Sequence, residues 1–180
     1  DNIVIDEKSI PLRAITGRPF SVKDVIVKGT NPIPQPGFLM KRHLLDRIGM
    51  LDPSLHFAMD FDYWVRVALS ESKIQYIPYA LAMFREHAGA KTSKAYLTRI
   101  NDRYRIFEKT YNLAAASNKY SVFKKKALAA VELNAAYIAY KASDWACARK
   151  HAQKHIRVAG LRASPIGWGI LIFSLRSTKV

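Results

Sequence analysis

The stretch His56–Val67, HFAMDFDYWVRV, constrains this chain more than any other. Trp64, Val65, Ala68 and Leu69 recur at the spacing of one helix face. The segment therefore predicts a helix with an apolar side, and Asp60 and Asp62 stand in its opening turn. Two readings of these acids are open. As caps, either one accepts a hydrogen bond from a free first-turn amide and complements the positive end of the helix dipole. As working groups, they are carboxylates held beside aromatic side chains at the mouth of a helix, where a proton or a cation can be received.

Around this helix the sequence predicts short strands. Ile3–Ile5 and Ile10–Ile15 flank the polar turn Asp6-Glu7-Lys8-Ser9 and read as a hairpin. Pro32, Pro34 and Pro36 stiffen an extended loop and keep it out of a central sheet. Phe38–Met40 reads as a short strand. Lys41–Ile48 reads as a helix stopped by Gly49. Ile74–Ile77 reads as a strand ended by Pro78, and Tyr79–His87 as another. Alternation along the latter places Leu81, Met83, Arg85 and His87 on one face.

From Lys94 onward the pattern is helical. Leu97, Ile100, Tyr104, Phe107 and Tyr111 form one stripe, and Asn118–Tyr140 predicts a second helix. Ser143-Asp144 caps a third, Trp145–Ala159, which ends at Gly160; Ser164-Pro165 opens a last apolar segment through Leu175 that is too short to span a bilayer. His151 and His155 stand four apart, but HAQKH lacks the glutamate of a zinc-protease motif, so both are expected on a solvated face.

Charge divides the chain in the same place. Residues 1–90 hold 11 Lys and Arg against 10 Asp and Glu, while residues 91–180 hold 18 against 4, so nearly all of the +15 net charge lies in the second half. A half of this kind favours polyanions: nucleic acid, an anionic membrane surface or a phosphorylated lipid. The single cysteine, Cys147, excludes an internal disulfide and fits a reducing compartment. The chain opens without methionine and in mid-strand, which is expected of a portion of something longer.

Several linked pieces occur in order. They are Gln35-Pro36; Arg42 before a short helix; Gly49 with Leu51-Asp52-Pro53-Ser54-Leu55-His56; Met59-Asp60-Phe61-Asp62-Tyr63-Trp64; and Arg85-Glu86-His87 with Lys91-Thr92. As a set this resembles the acceptor-side half of a family 2 glycosyltransferase, an inverting enzyme of the GT-A-type fold. The resemblance covers residues 1 to about 93. It implies an α+β chain: an acceptor-side portion of a catalytic domain over 1–93, with short strands and two helices, and a basic all-α region over 94–180.

The resemblance also implies roles. Asp60 takes the position of the catalytic base, with Met59 where many relatives carry Glu. Arg85, His87 and Lys91 take positions around the nucleotide diphosphate, and Gln35, Pro36, Asp62 and Trp64 those of the substrate pocket. The donor is a nucleotide sugar, and the acceptor a saccharide or a lipid-linked hydroxyl. The cofactor is a divalent metal, Mn or Mg, with His87 as one ligand and its main carboxylates outside this chain, so these residues alone are expected to be inactive. Family members hold that metal with an Asp-x-Asp at a strand end, whereas Asp60-Phe61-Asp62 opens a helix. The implied setting is surface polysaccharide synthesis in the cytoplasm, at the inner face of the plasma membrane. The competing reading is a non-enzymatic basic helical module that binds nucleic acid or a protein. Only the charged second half favours it, because no nucleic-acid motif is present and the aromatics fall on apolar stripes.

Overall fold

The computed structural model describes residues 1–31, 33–87, 95–117 and 120–176, the side chains of 113–117 and 176 excepted. The architecture is α+β: among the described residues, seven helices and one three-stranded sheet.

Strand β1 (Asn2–Ile5) is central, in the order β2-β1-β3. It pairs antiparallel with β2 (Pro11–Ile15) and parallel with β3 (Ala82–Arg85), Val4 lying opposite Arg13 on one side and Phe84 on the other. The expected hairpin therefore forms. Its turn is closed by Asp6, whose carboxylate accepts the backbone N–H groups of Lys8 (2.9 Å) and Ile10 (2.8 Å), with Ser9 at φ 68°. Tyr79–His87 is strand only over Ala82–Arg85, because the four residues of β1 are its sole partner among the described residues. Phe38–Met40 and Ile74–Ile77 form no strand. Phe38 packs its ring on Trp64 instead, at 4.4 Å between centroids.

Helix α1 (Val22–Lys28) was not expected. Its signals are local: Ser21 accepts the N–H of Asp24 at 3.2 Å, and Gly29 ends it in the left-handed region at φ 63°. Val25, Ile26 and Val27 are all buried, which erases the periodicity of a surface helix. Helices α2 (Arg42–Ile48) and α3 (Met59–Leu69) occur where expected.

Two apolar cores follow. In the first, Phe61, Trp64, Val65 and Ala68 of α3 meet Val25 and Ile26 of α1, Ile106 and Tyr111 of α4 (Tyr96–Ser117), and Ala127 of α5 (Lys124–Lys141). This core continues across residue 93, so the catalytic-like portion and the helical region share it. In the second, Ala135, Ala136 and Ala139 of α5 face Ala148 and Ala152 of α6 (Trp145–Ala159), with Ile170 of α7 (Pro165–Arg176). Alanine on both faces lets the two helices approach closely. Asp144 caps α6 by accepting the N–H of Cys147 at 2.9 Å and also accepts the Tyr96 hydroxyl at 2.6 Å, tying α4 to α6. The long helix expected over Asn118–Tyr140 is shorter: Ser121–Phe123 is a 3-10 turn, and α5 starts at Lys124.

His151 and His155 are not on a solvated face; both are buried. His151 Nδ1 lies 2.7 Å from Glu132 Oε2 and 3.2 Å from the Tyr104 hydroxyl. His155 Nδ1 lies 2.7 Å from the Ala129 carbonyl, and its Nε2 accepts the N–H of Ser164 at 2.9 Å. Both nitrogens of His155 are thus engaged, which fixes the neutral tautomer with the proton on Nδ1 and leaves no lone pair for a metal shared with His151.

Candidate functional site

The two acids of α3 have opposite surroundings. Asp62 is 1% exposed. Its Oδ2 accepts from Arg66 Nε at 2.9 Å, one turn along the same helix, and its Oδ1 lies 3.0 Å from Lys109 Nζ on α4. Arg66 spends its remaining donors on the carbonyls of Ile48 (2.8 Å) and Met50 (2.9 Å), and Lys109 also reaches Asp52 at 3.3 Å. Asp52 is pulled down to about 2, mainly by the hydroxyl and N–H of Ser54 and then by Lys109. Asp62 is therefore a buried tether: it fixes the loop between α2 and α3 to α3 and to α4. It is not the cap, because Ala58 occupies the N-cap position.

Asp60 is half-buried and free of any salt bridge among the described residues. Its Oδ1 accepts the N–H of Phe61 at 2.7 Å, and its Oδ2 accepts from the side-chain amide of Asn31 at 3.0 Å. Both bonds fix the orientation of the carboxylate at the first turn of α3. Nearby, Arg103 of α4 lies over the Phe61 ring at 4.1 Å and donates to the Gly29 carbonyl at 2.9 Å. Burial and the neighbouring Arg99 draw its guanidinium down to about 10, against the pull of Asp60. The Asp60 carboxylate thus has two fixed donors, a half-buried cation in its field and one side open to solvent. Such a group can accept a proton from a hydroxyl placed beside it.

The other expected residues are dispersed. Trp64 is 3% exposed and sits in the first core between Phe38 and Tyr63, with its Nε1 lacking a hydrogen-bond partner, so its ring is a packing element of that core. Gln35 is exposed. Pro36 lines a cleft of about 610 Å³ whose walls also include Phe38, Lys41, His43, Lys73 and Tyr76; Asp60, Asp62 and Trp64 are not on those walls. Asp1 and Glu71 also stand on its walls, so the cleft mixes apolar side chains with charges of both signs. Arg85 closes the β1–β2 turn, donating to the carbonyls of Asp6 (2.8 Å) and Glu7 (3.1 Å) and to the Ser9 hydroxyl (3.0 Å). His87 is exposed just beyond β3. Lys91 lies outside the described residues.

Asn31 and Arg103 were not singled out from the sequence. Neither sits at a readable spacing from Asp60, and only the fold joins them. Arg66 was legible, since four residues from Asp62 on a helix is the spacing of an ion pair.

Among the described residues no group of three His, Cys, Asp or Glu side chains could hold a metal ion. His87 by itself does not make such a site, so no step below is routed through a metal. Compared with family models, with curated proteins and with solved structures, the chain matches none.

Proposed function

We propose that this chain is the acceptor side of an inverting, GT-A-type glycosyltransferase in which Asp60 is the base. The observation that carries the reading is the split between the two acids. Asp62 is consumed by Arg66 and Lys109, while Asp60, at the same helix mouth, keeps an open side and two donors that fix its orientation. In the reaction a sugar acceptor hydroxyl attacks the anomeric carbon of a nucleoside diphosphate sugar. The hydroxyl proton passes to Asp60, the new glycosidic C–O bond forms, and the bond to the diphosphate breaks with its electron pair leaving on phosphate oxygen. Attack from the face opposite the leaving group inverts the carbon. Asn31 positions the base, and Arg103, over the Phe61 ring, is the cation near it.

His87, and Lys91 beyond it, are the residues proposed to meet the departing diphosphate; Arg85 serves the same segment by clamping the β1–β2 turn. The nucleotide sugar donor, the saccharide or lipid-linked acceptor and a cytoplasmic setting belong to the same proposal. The test is transfer by the full-length protein from a panel of labelled nucleotide sugars. Asp60→Asn should lower turnover by about a hundredfold to ten-thousandfold, the range of general-base contributions, with melting temperature and nucleotide binding held. Wild-type turnover in Asp60→Asn, or no transfer from any donor, would overturn the reading.

A further inference from the structure

Among the described side chains, the outward half of α7 is apolar apart from the Trp168 indole N–H. Ile166, Trp168, Ile172 and Leu175 are 47–60% exposed, Leu161, in the turn that leads into the helix, is fully exposed, and Phe173 at the edge of this face packs on Tyr140 and Trp145. The inward side is fixed. A Cβ placed on Gly167 would stand 2.6 Å from His155 Cδ2, and the Ser174 carbonyl accepts from Arg149 at 2.6 Å. Rotation of α7 to hide its apolar face would drive larger side chains into a space that admits only glycine. The face is therefore presented outward by the packing.

We propose that this face lies on an anionic lipid surface, with α7 parallel to the membrane plane. Three observations commit it to that occupant. An exposed helix face that is apolar but for one indole N–H fits the boundary between headgroups and acyl chains, and Trp168, with an apolar body and a polar edge, is suited to that depth. Among the described residues no helix is long and apolar enough to cross a membrane, and twelve residues of α7 reach about 18 Å, well short of a bilayer core. The half of the chain that carries α7 holds 18 basic residues against 4 acids, with Lys150, Lys154, Arg157 and Arg162 exposed on and just after α6. An anionic surface complements that charge, whereas two copies meeting through α7 would bring two such halves together. Arg103 and Arg149 do not join these cations, because they turn inward to the Gly29 and Ser174 carbonyls. This inference stands apart from the transferase reading, and its test involves no sugar.

The intact chain is mixed with phosphatidylcholine vesicles, with and without phosphatidylglycerol, and sedimented. Bound fraction should rise with phosphatidylglycerol and fall with salt. Ile172→Ser with Leu175→Ser should lower the partition coefficient by about tenfold or more with circular dichroism unchanged, since buried apolar area sets the affinity. In the unsubstituted chain, brominated acyl chains should quench emission, and Trp168→Phe should remove that quenching. Binding that ignores lipid charge or the double substitution, or absence of quenching, overturns the proposal. So does self-association abolished by the same substitutions without lipid binding, which would make the face a contact between copies.

Discussion

Removal of the Asp62 carboxylate is the sharpest test of how the candidate site is held. Asp62→Ala leaves Arg66, whose side chain is 14% exposed, with an unpaired Nε and with Nη groups still committed to the Ile48 and Met50 carbonyls. Breaking a buried pair from one side costs about 3–5 kcal/mol. Lys109 moderates the loss, because its side chain is 39% exposed and keeps Asp52 at 3.3 Å. Only one charge is stranded, so the lower end applies: about 3 kcal/mol, or about 6–12 °C in melting temperature for a chain of this length. Thermal melting by circular dichroism, with a urea titration to confirm an unchanged slope, measures it.

The controls sharpen the argument. Lys109→Ala removes a half-exposed partner and should cost about 1 kcal/mol or less. Asp60→Asn should stay within about 1 kcal/mol, since the amide oxygen still accepts one of the two donors and the position is half-exposed, so the other can turn to solvent. If Asp62→Ala melted within about 2 °C of the parent chain, or if Asp60→Ala proved as damaging, the buried tether would be refuted.

The glycines of α7 give a paired prediction. Gly167→Ala should destabilise by about 1–3 kcal/mol because the new methyl meets His155. Gly169→Ala, which meets nothing within 4 Å, should stabilise by up to about 1 kcal/mol through helix propensity; thermal melting of both checks the packing of α7. At acid pH, Asp52 should be visible. Its folded pKa of about 2 lies below the unfolded value, so its contribution is present above about pH 4 and lost as pH falls toward 2. After allowance for its exposure the contribution is about 1–2 kcal/mol, and Asp52→Asn should flatten the acid limb of stability against pH. Glu132 acts with the same sign. Burial would raise it, but hydrogen bonds from His151 and Tyr104 and the charge of Lys154 outweigh that and hold it below the usual carboxylate range. Glu132→Gln should therefore reduce stability above the unfolded pKa and leave it little changed in strong acid, as followed by urea midpoint.

Legibility in the sequence tracked how local each determinant is. Helix α6 was readable from Ser143-Asp144 to Gly160 because its cap and stop lie within a residue of its ends. The β1–β2 hairpin was readable from the Asp6 turn. Helix α1 was missed because its buried run Val25-Ile26-Val27 carries no amphipathic period, although Ser21 and Gly29 marked both ends. Strands expected at Phe38–Met40 and Ile74–Ile77 failed because strand propensity needs a partner edge, which β1 offers over only four residues. The burial of His151 and His155 was hidden for a different reason. A polar residue is placed inside by partners distant in sequence, here Glu132 and Ala129 on α5 and Ser164 before α7, and spacing within α6 holds no trace of them.

The division of labour between Asp60 and Asp62 follows from helix geometry. Residues two apart on a strand share a face, but on a helix they are rotated by about 200°. An Asp-x-Asp on a strand can close both carboxylates on one ion; the same three residues in α3 must send them to different sides. One side of α3 is the core and the segment between α2 and α3, where an acid survives only with the two cations that Asp62 has. The other side faces Asn31 and Arg103, where Asp60 meets neutral donors and an open edge. The pair is thus unsuited to chelating a shared cation and suited to an anchor beside an accessible carboxylate. Phe61, between them, reaches into the core and supports Arg103 on its ring, so the buried acid and the available one are held at a fixed angle by the residue that separates them.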